Sequence, residues 1–353
     1  MTLENYLAKV VLTNSSDLHL VVGYPPIIRK ETVLSPIPGE AVLNGVRVKE
    51  LIFSILTPEQ RDLLTVNKEI DFSYSFEGKA RFRVNAYNQR GSLAAAFRHI
   101  PAKIRTIEEL NLPKVCHTFG ELRQGFILVT GPTGHGKSTT LAAIIDEINQ
   151  LRSCHIVTIE DPIEYTYSTG KSIVSQRELH GDTHSWELAL RSVLREDPDV
   201  VLVGEMRDYE TIRSALTVAE TGHLVFATLH TNNAAQTVDR IVDVFPEHQQ
   251  AQIRMQLSLT LEAVFSQRLL PSLKGGMVPA AEILVATPAV KTTIRDGKTH
   301  LINNIIQTSA EVGMLTLEMS LADLVKRGLV SYEMAMAYCL RPDDLTRLVK
   351  GRK

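Results

Sequence analysis

The segment GPTGHGKS at residues 131–138 has residue types at a spacing suited to holding phosphate groups. It matches the pattern G-x-x-x-x-G-K-[ST], in which the glycines let backbone N–H groups converge on phosphate oxygens. Lys137 would reach the β- and γ-phosphates, and Ser138 would ligate Mg²⁺. The segment therefore predicts a site for ATP with Mg²⁺. The residues predicted to bind the nucleotide are Gly131, Pro132, Thr133, Gly134, His135, Gly136, Lys137, Ser138 and Thr139.

A carboxylate in DVVLVGEMRD, residues 199–208, is a second candidate for this chemistry. The apolar run Val200–Val203 predicts a buried strand, and such strands seldom carry a charged residue at their end unless a cation lies nearby. In a sheet with a phosphate-binding loop, the end of a neighbouring strand faces the metal ion. Glu205 is one methylene longer than the usual aspartate, so we expect it to contact Mg²⁺ through a water. The alternative is that Glu205 is a solvated loop acid.

Further acids and histidines follow other predicted strands. Glu160, Asp161 and Glu164 lie in TIEDPIEY, and a hydrolase needs a carboxylate to orient or deprotonate the attacking water. The residue types alone do not choose among the three, and a surface acid is more often merely solvated. His223 and His230 bracket a predicted strand, which favours sensing of the γ-phosphate by hydrogen bonds over a structural role.

The segment RFRVNAYN at residues 81–88 alternates polar and apolar residues, as a half-buried strand does. If Arg90 and Gly91 form a two-residue turn, then residues whose numbers sum to 181 lie opposite one another, and Arg83 faces Arg98. Two like charges in that position reduce stability unless an anion or water screens them. One interpretation is a solvated surface; the other is an arginine pair that reaches the nucleotide of a neighbouring subunit.

The elements that must position these residues fall into two predicted domains. Residues 1–100 combine helices with short strands and predict a small α+β domain, and 101–113 form a linker. In 114–353, apolar strands alternate with helical patterns, which predicts a parallel sheet followed by a helical C-terminal part from Pro288. The strands predicted for this second domain are 125–130, 155–159, 199–203, 223–229 and 278–285.

Composition restricts the class of protein. The 353 residues are 44% hydrophobic with a formal charge of −2, so the basic surplus of a non-specific nucleic-acid binder is absent. No signal peptide or membrane span is expected. Cys116, Cys154 and Cys339 are widely separated, which favours free thiols in a reducing cytoplasm over a disulfide framework or a zinc site.

Four motifs, in their order and spacing, resemble those of the secretion-type ATPases, and within them the type IV pilus retraction ATPases (PilT-type). They are GPTGHGKS, TIEDPIEY, LREDPDVVLVGEMRD and TGHLVFATLHTN. The resemblance extends over essentially the whole chain. It implies that Glu164 is the catalytic glutamate, that Glu205 occupies the Walker B position, and that His223 and His230 form a histidine box. It also implies that Arg83 and Arg98 contact nucleotide across subunits.

The same resemblance implies a fold and an assembly. The fold is a PAS-like N-terminal domain on a RecA-like P-loop ATPase domain. The assembly is a homohexameric ring in the cytoplasm, peripheral to the inner membrane, which acts on an inner-membrane pilus platform protein and inserts into no membrane itself. His135 departs from the serine that is common in the family, and Thr293 departs from an alanine in the segment 293–297.

The implied function is an ATP-hydrolysing ring motor that drives pilus retraction and twitching motility. A pilus assembly or type II secretion ATPase of the same superfamily is one alternative, although those relatives carry further N-terminal domains and a four-cysteine metal element. A nucleic-acid motor on a RecA-like core and a non-hydrolysing scaffold are the others. Stimulation of ATP turnover by DNA would favour the nucleic-acid motor, and a Glu164→Ala turnover assay would test the scaffold.

Overall fold

A computed structural model describes residues 1–30, 33–76, 80–100 and 103–351. These residues divide into two compact units. The first contains the described residues from Met1 to Lys103 together with Pro162–Thr166, and the second contains Ile104–Asp161 and the described residues from Tyr167 onward. The sequence assigns Pro162–Thr166 to the second domain, whereas its contacts group it with the N-terminal unit. Pro101 and Ala102 of the predicted linker, and Lys79 of a predicted strand, lie outside the described residues.

The N-terminal unit is an antiparallel sheet that packs against helices. Its strands have the order β3-β2-β1-β6-β5-β4. The strands are β1 (Asp17–Leu20), β2 (Ile27–Lys30), β3 (Val33–Pro36), β4 (Glu69–Phe76), β5 (Ala80–Gln89) and β6 (Ser92–Ile100); the helices are α1 (Leu3–Leu12), α2 (Gly45–Phe53) and α3 (Pro58–Asn67). Helix α3 begins with a capping box in which Thr57 and Gln60 bond each other's backbone N–H groups, and Pro58 occupies the first turn.

The β5–β6 hairpin has the predicted register. Arg90 and Gly91 form the two-residue turn with φ values of 47° and 75°, both in the left-handed region that this tight hairpin turn requires. Arg83 therefore pairs with Arg98 across the ladder. Alternate residues of β5, beginning with Ala80 and Phe82, are buried, and the residues between them are partly exposed. One face of the sheet is thus a core and the other is accessible.

The second unit is a seven-stranded, mainly parallel sheet with the order β13-β12-β7-β11-β10-β8-β9, in which β13 runs antiparallel to β12. Its strands are β7 (Gly125–Thr130), β8 (His155–Glu160), β9 (Ile173–Glu178), β10 (Val200–Val203), β11 (Leu224–Leu229), β12 (Leu261–Pro271) and β13 (Met277–Val285). Every residue of β7, β10 and β11 is buried because helices cover both faces of the sheet.

Helices surround this sheet and form the C-terminal part. They are α4 (Val115–Glu121), α5 (Lys137–Leu151), α6 (Trp186–Val193), α7 (Tyr209–Glu220), α8 (Ala234–Asp243), α9 (Glu247–Thr260), α10 (Pro288–Arg295), α11 (Ile302–Thr308), α12 (Leu317–Lys326), α13 (Tyr332–Tyr338) and α14 (Pro342–Lys350). Within the described residues, no helix is both long enough and apolar enough to cross a membrane.

The predicted α/β class is confirmed, but β9 and β12 were not predicted from the sequence. Strand β12 begins at Leu261, directly after the last residue of α9, so no turn residue separates the two patterns. Strand β9 lies at the edge of the sheet and shows no buried run: its residues are exposed or half-buried. Neither strand therefore has the bounded apolar run by which the other parallel strands were recognised.

Candidate nucleotide-binding site

The glycine-rich loop joins the end of β7 to the start of α5. Gly131, Gly134 and Gly136 have φ values of 141°, 79° and 82°, a backbone conformation that other residues seldom adopt. At Gly131 a side chain is also excluded by space, since a Cβ atom would lie 2.3 Å from the carbonyl oxygen of Gln267. The glycines are therefore required by the path of the loop.

The loop delivers the N-terminus of α5 and a buried lysine to one place. Among the described residues, no side chain caps this helix, whose N-cap residue is Gly136, so its first-turn N–H groups are suited to an anion. The Lys137 ammonium donates to the carbonyl oxygens of Gly131 at 2.9 Å and Pro132 at 3.1 Å. Ser138 and Thr139 follow in the first turn. This donor set fits the phosphate groups of a nucleotide.

The order of the strands brings His230 beside this lysine. Strand β11 is the neighbour of β7, and His230 follows its last residue. The His230 Nδ1 atom lies 3.4 Å from the Lys137 Nζ atom and 3.3 Å from the Thr133 hydroxyl oxygen. Its Nε2 atom lies 2.8 Å from a Glu205 carboxylate oxygen. The partners define the tautomer: Nε2 carries the proton and donates to the carboxylate, and Nδ1 accepts.

Glu205 follows β10, the next strand along, and completes a row from Lys137 through His230. Arg207 donates to both Glu205 carboxylate oxygens, at 2.8 and 2.9 Å. Burial acts to raise the pKa of Glu205, but the hydrogen bonds and charge of Arg207, together with His230, outweigh it and hold the pKa below its ordinary value of 4.5. Glu205 is therefore ionised at neutral pH, at the edge of the sheet where the phosphate loop lies.

The three acids of TIEDPIEY lie in different surroundings. A Glu160 carboxylate oxygen accepts from the Thr158 hydroxyl at 2.7 Å and from the Gln176 amide at 3.3 Å. Asp161 contributes to the field at Arg207. Glu164 belongs to the N-terminal unit, where one of its carboxylate oxygens lies 3.8 Å from the Arg83 guanidinium. Glu164 is thus grouped with a different unit from Glu160 and Asp161.

The arginine pair of the hairpin is balanced by carboxylates. Asp17 on β1 pairs directly with Arg98 on β6, and its carboxylate accepts from the Arg98 Nε atom at 3.2 Å. Arg29 on β2 pairs with Asp17 from the other side, at 3.7 Å. Arg83 lies next to Arg98 in the same row and is near Glu164. The repulsion expected between Arg83 and Arg98 is therefore offset by acids of the same unit.

His223 is not brought to the site within this chain. It precedes β11, whereas His230 follows it, so the two histidines lie at opposite edges of the sheet, about 20 Å apart along an extended strand. The His223 Nδ1 atom lies 3.0 Å from the Val218 carbonyl oxygen and 3.0 Å from the Thr221 hydroxyl. Within the chain, His230 of the two histidines lies beside Lys137, and sensing of the γ-phosphate by His223 stays a prediction.

One residue beside the loop was missed by the sequence analysis. Gln267 on β12 is 3% exposed, and its side chain bonds both the His135 carbonyl oxygen and the Thr140 hydroxyl. A polar residue within the run LEAVFSQRLLP was the available signal, since a buried amide must find partners. Because β12 was not predicted from the sequence, Gln267 could not be placed beside the phosphate loop.

This geometry defines a class of protein. A glycine-rich loop between a parallel strand and a helix, a buried lysine, and a carboxylate at the end of a nearby strand constitute the nucleotide site of a P-loop protein.

Comparison with known proteins defines the family. The family model described as type II/IV secretion system protein matches residues 106–317, and the chain belongs to this family. A relative from Pseudomonas aeruginosa, named "Type IV pilus retractation ATPase PilT", is 48% identical over 98% of this chain and all of its own length. A relative from Neisseria gonorrhoeae, named "Twitching motility protein", is 51% identical over 83% of this chain and 79% of its own length.

A solved structure shows the same fold. The crystal structure of the pilus retraction motor PilT with bound ADP has a TM-score of 0.91 and 44% sequence identity, and the match covers 98% of this chain and 99% of that one. The resemblance to the PilT-type secretion ATPases predicted from the four motifs is confirmed, as is the predicted class of an α/β ATPase domain with a smaller N-terminal domain.

Proposed function

We propose that this chain is the ATP-hydrolysing motor of type IV pilus retraction, and hence of twitching motility. The observation that carries the proposal is the row Lys137–His230–Glu205 at the edge of the sheet, in a chain that matches a retraction ATPase over nearly its whole length. The fold alone would not identify the function, because one fold supports many activities. The groups that would bind and polarise phosphate lie next to one another in this row, which supports the proposal.

Mg²⁺ is the metal ion that this donor set suits. Ser138 in the first turn of α5 would hold it, with Glu205 facing it from β10. Mg²⁺ retains several of its waters in such sites. Both Glu205 oxygens already accept hydrogen bonds from Arg207, and one also from His230, which supports contact through water rather than direct ligation. The bound ion would neutralise charge on the phosphates as the terminal bond breaks.

Three residues of the N-terminal unit complete the proposed machinery. Glu164 would orient or deprotonate the attacking water. Arg83 and Arg98 would contact the nucleotide of a neighbouring subunit, and the exposed face of their sheet leaves them accessible for it. His223, at the opposite sheet edge from Lys137, could take part only through another chain. The proposed roles of the two arginines and of His223 require an assembly, which we propose is a homohexameric ring.

The location follows from the proposed task. The ring would act in the cytoplasm, held at the inner membrane by a pilus platform protein. Hydrolysis at subunit interfaces would displace the two domains, 1–100 and 114–353, relative to one another, with 101–113 as the linker, and the displacement would be transmitted to the platform.

A complementation experiment tests the function. The chain is expressed in a Pseudomonas aeruginosa strain that lacks its retraction ATPase, and the twitching zone is measured beside ATP turnover of the purified protein. We expect wild type to restore twitching and Lys137→Ala to restore neither twitching nor turnover. If the enzyme is active but does not restore twitching, and instead restores pili to a strain that lacks its assembly ATPase, the proposed function would change from pilus retraction to pilus assembly. Turnover that depends on added DNA would indicate a nucleic-acid motor.

A further inference from the structure

Strand β12 forms a wall along the phosphate loop. It pairs with β7 up to Ser266, which lies opposite Thr130, the last residue before the loop. Beyond that point β7 has ended, but β12 continues to Pro271. On the side where β7 lay, its next residues face the loop: the Leu269 N–H donates to the His135 Nδ1 atom at 3.0 Å, and the Gln267 carbonyl excludes any side chain at Gly131.

Within this wall, the Gln267 amide joins the loop to the helix that follows it. Its Nε2 atom donates to the His135 carbonyl oxygen at 2.7 Å, and its Oε1 atom accepts from the Thr140 hydroxyl at 2.6 Å. The orientation of the amide is determined by the carbonyl, which can only accept, so the nitrogen must face it. Gln267 and Thr140 are 3% and 1% exposed, so water does not substitute for these bonds.

The bond to His135 determines the direction of an N–H group. In a trans peptide the C=O and the following N–H point in opposite directions. Because Gln267 holds the His135 carbonyl toward β12, the Gly136 N–H must point away from β12. Gly136 has a φ of 82°, a conformation in which glycine alone is unhindered, and the peptide plane on its N-terminal side could otherwise turn. A Cβ atom at Gly136 would also lie 2.8 Å from the Gln267 Nε2 atom.

We infer that Gln267 is a positioning residue for nucleotide binding: it orients the His135–Gly136 peptide so that the Gly136 N–H serves the phosphates of ADP and ATP. This inference rests on the proposed function and assigns to β12 a part in it. Thr140 supports the amide from the side of α5. Gln267 acts through the loop and not by contact with the nucleotide, so its removal affects affinity more than the chemical step.

The test compares variants by ADP binding and by steady-state turnover of the full chain. Gln267→Met keeps the length of the side chain and removes both hydrogen bonds. We expect it to weaken ADP binding and raise the KM for ATP about tenfold, with kcat within about twofold of wild type. Thr140→Val leaves the hydrogen bond between Gln267 and His135 and removes the one between Thr140 and the Gln267 amide, so we expect a smaller loss of ADP affinity, about threefold.

Ser266→Ala is the matched control. Ser266 is also 3% exposed and lies on the same strand, and its hydroxyl shares a 2.8 Å hydrogen bond with Thr130, but it bonds no residue of the loop. It should lower the melting temperature as Thr140→Val does and leave the ADP affinity unchanged. If Gln267 has a merely structural role, ADP affinity should instead fall together with the melting temperature in all three variants.

Each outcome decides the inference. ADP binding by Gln267→Met within twofold of wild type, or an equal loss in Ser266→Ala, overturns it. If Gln267→Met does not fold, Thr140→Val decides, and unchanged affinity there also overturns it. Failure of the wild-type protein to bind ADP counts against the proposed function and is therefore distinguishable.

Discussion

The two sheets of this protein offer their functional residues in different ways. In the N-terminal sheet, Arg83 and Arg98 lie in the middle of strands, on the accessible face of an antiparallel ladder. In the second sheet, Lys137, His230 and Glu205 all lie beyond the ends of strands whose residues are buried. The contrast follows from what covers each sheet.

In an antiparallel sheet with one accessible face, every second residue is accessible to a ligand. In a parallel sheet covered on both faces, only the residues at the ends of the strands are accessible. A strand residue and its backbone are rigid, so the arginine row is fixed by register. The groups at the strand ends belong to loops, and they need further hydrogen bonds, such as those from β12, to hold their positions. Strand pairing therefore positions the functional residues of the N-terminal sheet, and hydrogen bonds to the loops position those of the second sheet.

The largest effect is expected at the end of β7. Lys137→Ala removes the buried ammonium that faces the phosphates, so ATP turnover should fall at least about a thousandfold. A phosphate-release assay measures it, and Lys326→Ala, an exposed lysine on α12, serves as control. Turnover within tenfold of wild type would show that the strand-end site is not where hydrolysis occurs.

Core substitutions test the difference in coverage. Phe82→Ala on the buried face of β5 should lower the free energy of unfolding by about 3–5 kcal/mol, and Arg83→Ala beside it by less than about 0.5 kcal/mol. In β11, the adjacent Val225→Ala and Phe226→Ala should both be destabilising, because both residues are fully buried. Calorimetric melting measures the stability of the four variants. If only one of the two adjacent substitutions in β11 were destabilising, as in β5, the proposed difference between the two sheets would be wrong.

A smaller effect is expected from the arginine row. Arg83→Ala or Arg98→Ala should reduce turnover about tenfold to a hundredfold and leave ADP affinity nearly unchanged, because the arginines are proposed to stabilise charge on the γ-phosphate as it is transferred, and ADP lacks that phosphate. Lys30→Ala, an exposed cation at the end of β2, is the control. Full activity in both arginine variants would favour the solvated-surface interpretation.

The smallest effect concerns pH. Burial, with the positive charges of Arg268 and Lys137, lowers the pKa of His135 from 6.5, and its Nδ1 atom must stay unprotonated to accept from Leu269. The unfolded chain therefore takes up a proton near pH 6.5 that the folded chain resists, so this contribution to stability is complete above pH 6.5 and declines as the pH falls below it.

ADP affinity should decline over the same interval, and His135→Ser should remove that decline. Burial also lowers the pKa of His19 in the N-terminal sheet, so a pH dependence of melting should persist in the variant. Titration of ADP binding between pH 7.5 and about 5.5 measures the difference. An identical pH profile in His135→Ser and wild type would contradict the role of His135.

Local patterns carried much of the fold. The turn at Arg90–Gly91 determines the hairpin register because a two-residue turn permits one pairing, and Arg83 therefore had to face Arg98. The phosphate loop was recognisable because its glycines and lysine act within eight consecutive residues. Strand β12 was not recognisable, because it continues α9 without a turn and pairs with β7, which lies in a distant part of the chain.

The sequence by itself determined the loop at 131–138, the carboxylate at the end of β10 and the register of the arginine hairpin, since each depends on neighbours within a few residues. Only the tertiary structure decided that β11 lies between β7 and β10, which places His230 between Lys137 and Glu205 and leaves His223 at the other edge. It also decided that Asp17 faces Arg98, 81 residues away, and that Gln267 holds the loop. Strand order and long-range pairing depend on which buried surfaces fit together across the whole chain, and no local pattern records that.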